Sequence, residues 1–206
     1  RVTKERVSLM SADGSLDIGF GSAKLSAAPE CASYTVLHAK FDQWLAEKAE
    51  EAGAEIATGF VVDELIVQDG KVIGINADGE EMYADVVILA DGVNSLLAQQ
   101  IGMKKELEPH QVAVGAKETI RLSEDVINQR FGLTQGEGMA WLSAGDPTAG
   151  GFGGGFLYTN KDTISIGVVA TLSDIGHSEL SVPQMLERFK AHPSIAPYLE
   201  DGELIE

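Results

Sequence analysis

Ala84-Asp-Val-Val-Ile-Leu-Ala-Asp-Gly-Val-Asn-Ser95 reads as a strand running straight into a turn and a helix. Residues 86–90 are apolar at every position, without the polar alternation of a half-exposed strand. That is the pattern of a strand buried on both faces, as in a parallel sheet covered by helices. Asp91-Gly92 then falls at the carboxyl end of the strand, where open α/β sheets bind ligands. A short helix over 96–101 follows, with Asn94 or Ser95 as N-cap and Gly102 past its end. Its free N–H groups would face an anion. An ordinary strand-to-helix turn is the competing reading.

Working upstream, residues 60–90 read as a β-meander cut by hairpin turns at Asp69-Gly70 and Asp78-Gly79. Before it, Phe41, Trp44, Leu45, Ala49 and Ala52 form one apolar stripe at helical period, and Gly53 ends the helix. Short strands are expected at 34–37 and 55–58. Residues 1–25 alternate as strands about a turn at Asp13-Gly14, and 27–33 is a loop broken by Pro29.

Downstream of Pro109, Val112, Val114 and Ala116 alternate as a half-buried strand, and Ser123 caps a helix over 124–131. Strands are expected at 139–143, 155–158 and 163–170. Ser181 and Pro183 open a helix carrying Met185, Leu186 and Phe189, which Pro193 closes. The pattern is mixed α+β and α/β, with a domain change near residue 105. The expected division is 1–33, 34–105 and 106–206.

Composition narrows the function. Fifteen Lys+Arg against 32 Asp+Glu give a formal charge of −17, which repels phosphate backbones, and no basic patch offsets it. Nucleic acid is excluded as a partner. The longest apolar run, 86–90, is far short of the ~20 residues of a membrane span. Residues 1–24 lack the apolar core and small-residue cleavage site of a signal peptide. The lone Cys31 excludes a disulfide framework or a Cys-ligated cluster within these residues and fits a reducing compartment. His38, His110, His177 and His192 show no metal-ligand spacing, so no metal site is expected. Neither a G-x-G-x-x-G fingerprint nor a G-x-S-x-G elbow is present. Glycine is abundant, at 23 residues, and six of the eleven positions 145–155 are Gly. That cluster is either a plain connection between strands or a place where backbone packs against a flat ligand.

Together these pieces resemble a family. Tyr34-Thr-Val-Leu-His-Ala-Lys-Phe-Asp-Gln-Trp-Leu45 with Ala49-Glu-Glu-Ala-Gly-Ala-Glu55 is similar to the strand–helix signature of FixC-type flavoproteins. That group includes electron transfer flavoprotein–quinone oxidoreductases and geranylgeranyl reductases. The 84–95 stretch resembles the family's later FAD motif. Gly150-Gly-Phe-Gly-Gly-Gly-Phe-Leu-Tyr158 with Ile164-Ser-Ile-Gly-Val-Val169 resembles its substrate-domain signature, and Phe189-Lys-Ala-His-Pro-Ser-Ile195 a further shared segment.

The resemblance implies part of a glutathione-reductase-like FAD domain, over 34–105, joined to a β-sheet-rich substrate domain. FAD would carry the redox chemistry. His38 stands where the family often has an Arg facing the FAD phosphates. Asp91 and Gly92 would lie by the ribityl–pyrophosphate region. Val61 and Val62 would offer backbone to the adenine, and Gly153, Gly154 and Gly155 would approach the ring system or a lipid-like substrate. No single catalytic residue is named.

On this reading the chain is the middle portion of a longer oxidoreductase. Electrons would pass from an electron-transfer flavoprotein to a quinone or ferredoxin-type acceptor, and the portion alone would bind FAD poorly. Reduction of isoprenoid double bonds is the enzymatic alternative, and a non-catalytic acidic interaction module the alternative of another class. The expected location is the cytoplasm, or the face of the cytoplasmic membrane through parts outside these residues.

Overall fold

The computed structural model describes residues 1–206, and every side chain except that of Leu25. Its strands are β1 (Lys4–Met10), β2 (Ser15–Gly21), β3 (Val62–Gln68), β4 (Lys71–Ala77), β5 (Glu80–Tyr83), β6 (Ala113–Arg121), β7 (Met139–Gly145), β8 (Gly153–Thr159), β9 (Thr163–Thr171) and β10 (Glu203–Leu204). Its helices are α1 (Ala23–Ala27), α2 (His38–Glu51), α3 (Leu96–Gln100), α4 (Glu124–Phe131), α5 (Leu172–Ile175), α6 (Val182–Ala191) and α7 (Ala196–Leu199). Two units result, Arg1–Leu37 with Pro109–Glu206, and His38–Glu108.

The first unit is built on a seven-stranded sheet in the order β10-β6-β9-β8-β7-β1-β2. All neighbours are antiparallel except β1 and β7, which run parallel from Lys4↔Met139 to Met10↔Gly145. Strand alternation sends Ile164, Ile166 and Val168 of β9 to one face, each fully buried. Burying each such side chain contributes about 1.5–3 kcal/mol. Leu157 and Trp141 join them from β8 and β7, and Ile127, Phe131, Met185 and Phe189 close over them from α4 and α6. Helices α4 and α6 form where expected. The Ser123 hydroxyl accepts from Val126 N–H, and the Gln184 side chain accepts from the Ser181 N–H.

Arg6 lies over the Trp141 ring, 4.4 Å from its centroid, and donates to the Tyr198 hydroxyl. Two polar clasps tie loops to this core. Asp146 holds Arg188 through both carboxylate oxygens, and the neighbouring guanidinium keeps its carboxyl below the usual range. His192 is buried: Nε2 donates to the Ser11 carbonyl at 2.9 Å, and Nδ1 accepts from Ser194 N–H at 3.1 Å. This fixes the tip of the β1–β2 hairpin to the α6–α7 junction.

The second unit holds a three-stranded antiparallel sheet, β3-β4-β5. Its two turns are those of the Asp-Gly pairs, with φ of 50° and 76° at Asp69-Gly70 and 52° and 86° at Asp78-Gly79. Positive φ at both central residues is the type I′ geometry that matches strand twist. The hairpin of β1 and β2 closes differently, over Ser11–Gly14 without a left-handed residue. α2 ends at Gly53 in a Schellman arrangement, Ala54 N–H to Ala49 carbonyl and Gly53 N–H to Glu50 carbonyl.

Three expected strands do not form. Residues 34–37 and 55–58 are irregular, and so is the segment 85–90, with Val86 74% and Ile88 85% exposed. A strand exists only through its neighbours, and no described residue pairs with these. The buried parallel strand read from 84–95 is therefore corrected to an exposed apolar segment. α1, a region read as β, is likewise corrected to a short helix. The stripe of α2 is present, but Trp44 and Leu45 are each half-exposed.

The cluster 153–155 has a packing cause. A Cβ on Gly153 would collide with the Val169 carbonyl, one on Gly154 with the Ser143 carbonyl, and one on Gly155 would lie 2.6 Å from the Phe189 ring. Gly155→Ala therefore overpacks the core and is expected to cost about 1–3 kcal/mol in denaturant unfolding of the intact protein. His192→Ala leaves a buried carbonyl and N–H without partners, an expected loss of about 1–3 kcal/mol in the same measurement. The lowered Asp146 pKa gives a stability contribution complete above its unfolded value of about 4 and lost as pH falls through the native value. Asp146→Asn should accordingly flatten the acid limb of a Tm–pH profile; an unchanged limb would refute the assignment.

Candidate functional site

In the second unit the loop after 85–90 turns at Gly92, where φ is +75° and no atom lies within 4 Å of a built Cβ. Asp91 Oδ2 accepts from Leu97 N–H at 3.2 Å, so Asp91 caps α3. Ser95, expected to do so, takes the N-cap position with φ 47° and turns its hydroxyl to the Gly92 carbonyl at 2.6 Å. Beside this turn is a hollow of about 590 Å³, walled by Val62, Ile75, Val87, Leu89, Asp91 and Leu97. Val62 and Asp91, far apart in sequence, thus line one apolar hollow, and Gly92 is the next residue along the chain from Asp91. His38 does not join them there. It opens α2, 84% exposed, with Nδ1 2.6 Å from Asp42. The carboxylate one turn along offsets any charge it would offer a phosphate.

Gly153 and Gly154 belong to the first unit, at the start of β8. Nearby, Asp174 Oδ2 accepts from Phe152 N–H at 2.6 Å, which holds its carboxyl below the usual range and fastens the glycine-rich loop to α5. Beside that loop is a cleft of about 550 Å³ whose lining includes Asp174, His177, Glu179 and Arg188. Among the described residues no group of three or more His, Cys, Asp or Glu could hold a metal ion.

The sheet's other face is a feature sequence reading passed over. Opposite the helix-covered face, hydrogen-bonded register sets Ile18, Val7, Leu142, Phe156 and Gly167 side by side across β2, β1, β7, β8 and β9. Leu16 and Leu9 lead the next row toward Ala144 and Gly154, and Phe20 a third that runs through the exposed Glu5 to Ala140 and Tyr158. Among the described residues of the first unit no helix is set on this face at β1 and β2, where Val7, Leu9, Leu16, Ile18 and Phe20 are all at least half-exposed; toward β6 it closes, with Ser165 and Thr119 buried. An apolar surface this continuous is rare on soluble proteins unless something binds there. The signal was in the chain: apolar residues at 7 and 9 and at 16, 18 and 20 keep the period of two, but the opposite positions of β1 are the buried ones.

The comparisons with known proteins meet these features. The family described as FAD dependent oxidoreductase matches residues 22–138, and one described as ETF-QO, ubiquinone-binding matches 112–206, from β6 onward. Protein FixC of Salmonella typhi is 50% identical over 205 residues, covering 100% of this chain and 48% of that protein. A probable electron transfer flavoprotein-quinone oxidoreductase, YdiS of Escherichia coli K12, is 48% identical over 206 residues, with coverage of 100% and 48%. The chain therefore spans about half the length of these curated relatives. Among solved structures, a geranylgeranyl bacteriochlorophyll reductase-like protein of Thermoplasma acidophilum aligns at TM-score 0.65 and 21% identity, covering 100% of this chain and 48% of that one. That likeness speaks for the fold. With more than half of its residues matched by the family, the chain belongs to the FAD-dependent oxidoreductases.

Proposed function

We propose that the whole protein passes electrons from an electron-transfer flavoprotein to a quinone, through FAD. The observation that carries this is the match of residues 112–206 as ubiquinone-binding, with the exposed apolar side chains of β1 and β2 and Leu142 of β7 beside that part in the sheet. A quinone is a flat apolar ring with two carbonyl oxygens, and an uncovered apolar sheet face suits it. The names of the relatives supply the donor, an electron-transfer flavoprotein.

The hollow of the second unit fits part of FAD. It is apolar, it ends at a turn whose Gly92 leaves backbone open to approach, and Asp91 is held rigidly at its rim. Val62 would wall the bound group. The second carboxylate oxygen of Asp91 would accept from a hydroxyl, since its first is engaged by α3. FAD, when bound, supplies the electron-accepting and electron-donating ring. Gly153 and Gly154 would then let backbone lie near that ring, in addition to the packing that already requires glycine there. His38, paired with Asp42, is left out of the set.

No helix among the described residues is long and apolar enough to cross a membrane.

The reading is tested with the intact FAD-loaded protein, a reduced electron-transfer flavoprotein and ubiquinone-1. Quinone-dependent reoxidation of the flavoprotein is expected, and its absence would sink the reading. Leu142 sits mid-face and is 49% exposed. Leu142→Asp should therefore leave Tm within about a degree while raising the quinone KM roughly tenfold, because a charge replaces apolar surface in the binding face.

A further inference from the structure

On the helix-covered side of the sheet a hollow of about 490 Å³ opens between the β1–β2 hairpin, α4 and α7. Two arginines line it, Arg6 of β1 and Arg130 of α4. Arg6 keeps the phase of the buried Ser8 and Met10 along β1, which puts it on the side that the helices pack. Its Nη1 donates to the Tyr198 hydroxyl at 3.0 Å, and its face lies on the Trp141 ring. Arg130 donates from Nη1 to the carbonyls of Tyr198 and Glu200 at 3.2 and 2.6 Å. Neutral groups therefore hold both guanidinium groups in place. A guanidinium has about five N–H donors, so most of those of each arginine are unspent. Among the described residues neither makes an ion pair, in a chain with 32 Asp+Glu against 15 Lys+Arg. The carboxylate in the lining is Asp17, which is exposed and accepts from the Ser8 hydroxyl. Two guanidinium groups and one carboxylate leave the lining a single net positive charge.

We propose that this hollow binds a small organic monocarboxylate with a flat apolar body. The inference stands apart from the flavin and quinone readings above. Stacking on Trp141 engages the face of the Arg6 guanidinium and leaves its in-plane N–H edge open. That edge is the fork that matches the two oxygens of a carboxylate. One negative charge neutralises the lining. A doubly charged phosphate would bring a second charge against Asp17 and against the −17 of the chain. The rest of the wall suits a flat apolar body. It offers the rings of Trp141 and Tyr198 and the pyrrolidines of Pro193 and Pro197. The Trp141 N–H is spent on the Ser8 hydroxyl at 2.7 Å, so the indole is a wall without a donor. A volume of this size falls within the range of small-molecule sites. A bound carboxylate would bridge Arg6 and Arg130, tying the hairpin to α4 next to the His192 clasp, whose Ser194 also lines the hollow.

The experiment titrates the intact FAD-loaded protein calorimetrically with benzoate, and in parallel with inorganic phosphate. Benzoate is expected to bind with a Kd at or below about 1 mM, to weaken as salt is added, and to raise Tm. Phosphate should bind at least about tenfold more weakly. Arg6→Lys keeps the charge and loses the fork, so the benzoate Kd should rise about tenfold. Arg130→Gln should raise it by a similar factor of about ten. Asp17→Asn keeps an oxygen for the Ser8 hydroxyl and adds one unit of positive charge to the lining. It should bring the phosphate affinity up toward that of benzoate, a gain that a misfolded variant could not produce. Absence of benzoate binding up to about 10 mM overturns the proposal. Binding that survives both arginine substitutions unchanged lies elsewhere and overturns it too. Phosphate binding as tight as benzoate in the unaltered protein would refute the monocarboxylate assignment.

Discussion

The packing of helices against one face of the seven-stranded sheet governs the first unit. Each strand offers two faces at period two, and helices α4 and α6 cover one of them. The apolar residues of β7, β8 and β9 on that side are buried to within a few per cent, while Val7, Leu9, Leu16 and Ile18 on the other are left to solvent. The two faces cannot be tuned separately, because adjacent residues of one strand serve both. Leu157 is fully buried between Phe156 and Tyr158, which look outward. The core therefore fixes these two rings: they stand where they do because their sequence neighbours are locked between β7 and β9.

The second unit rests on local interactions instead. Its buried apolar side chains are Leu65 and Ala77, and it carries five lysines against fifteen carboxylates. So little core cannot stabilise 71 residues against their chain entropy. The type I′ turns, the Schellman end of α2 and the capping of α3 by Asp91 each satisfy backbone groups locally. Yet Phe41, Trp44, Val86 and Ile88 stay exposed. Apolar surface of that extent is completed by further chain or by a bound group in a working protein. The relatives, twice as long, have chain to spare for it.

This division explains what could be read from the sequence. Turns at Asp69-Gly70 and Asp78-Gly79, the cap at Ser123 and the helix end at Gly53 are set by residues within a few positions, and reading them one by one succeeded. The parallel pairing of β1 with β7 joins residues some 135 apart and leaves no local mark. The segment 85–90 shows the converse. Its composition declares a buried strand, but composition records what a segment suits and not whether its neighbours are at hand. The glycines at 153–155 carry a packing requirement that no motif shows: collisions with Val169, Ser143 and Phe189 would meet any side chain there.

Site residues were legible in proportion to their ties to the backbone. Asp91 and Gly92 could be found because a turn between an apolar segment and a helix needs them, and the geometry that makes the turn also shapes the rim of the hollow. Val62 joined them through the register of β3 with β4 rather than through any motif. The outward side chains of β8 had no such tie. Nothing nearby in sequence distinguishes Tyr158 from Leu157, and only the side of the sheet on which each falls separates them. A strand shifted by one residue would bury the phenol and expose the leucine. What the outward face offers is thus inherited from the packing of Leu157 in the core.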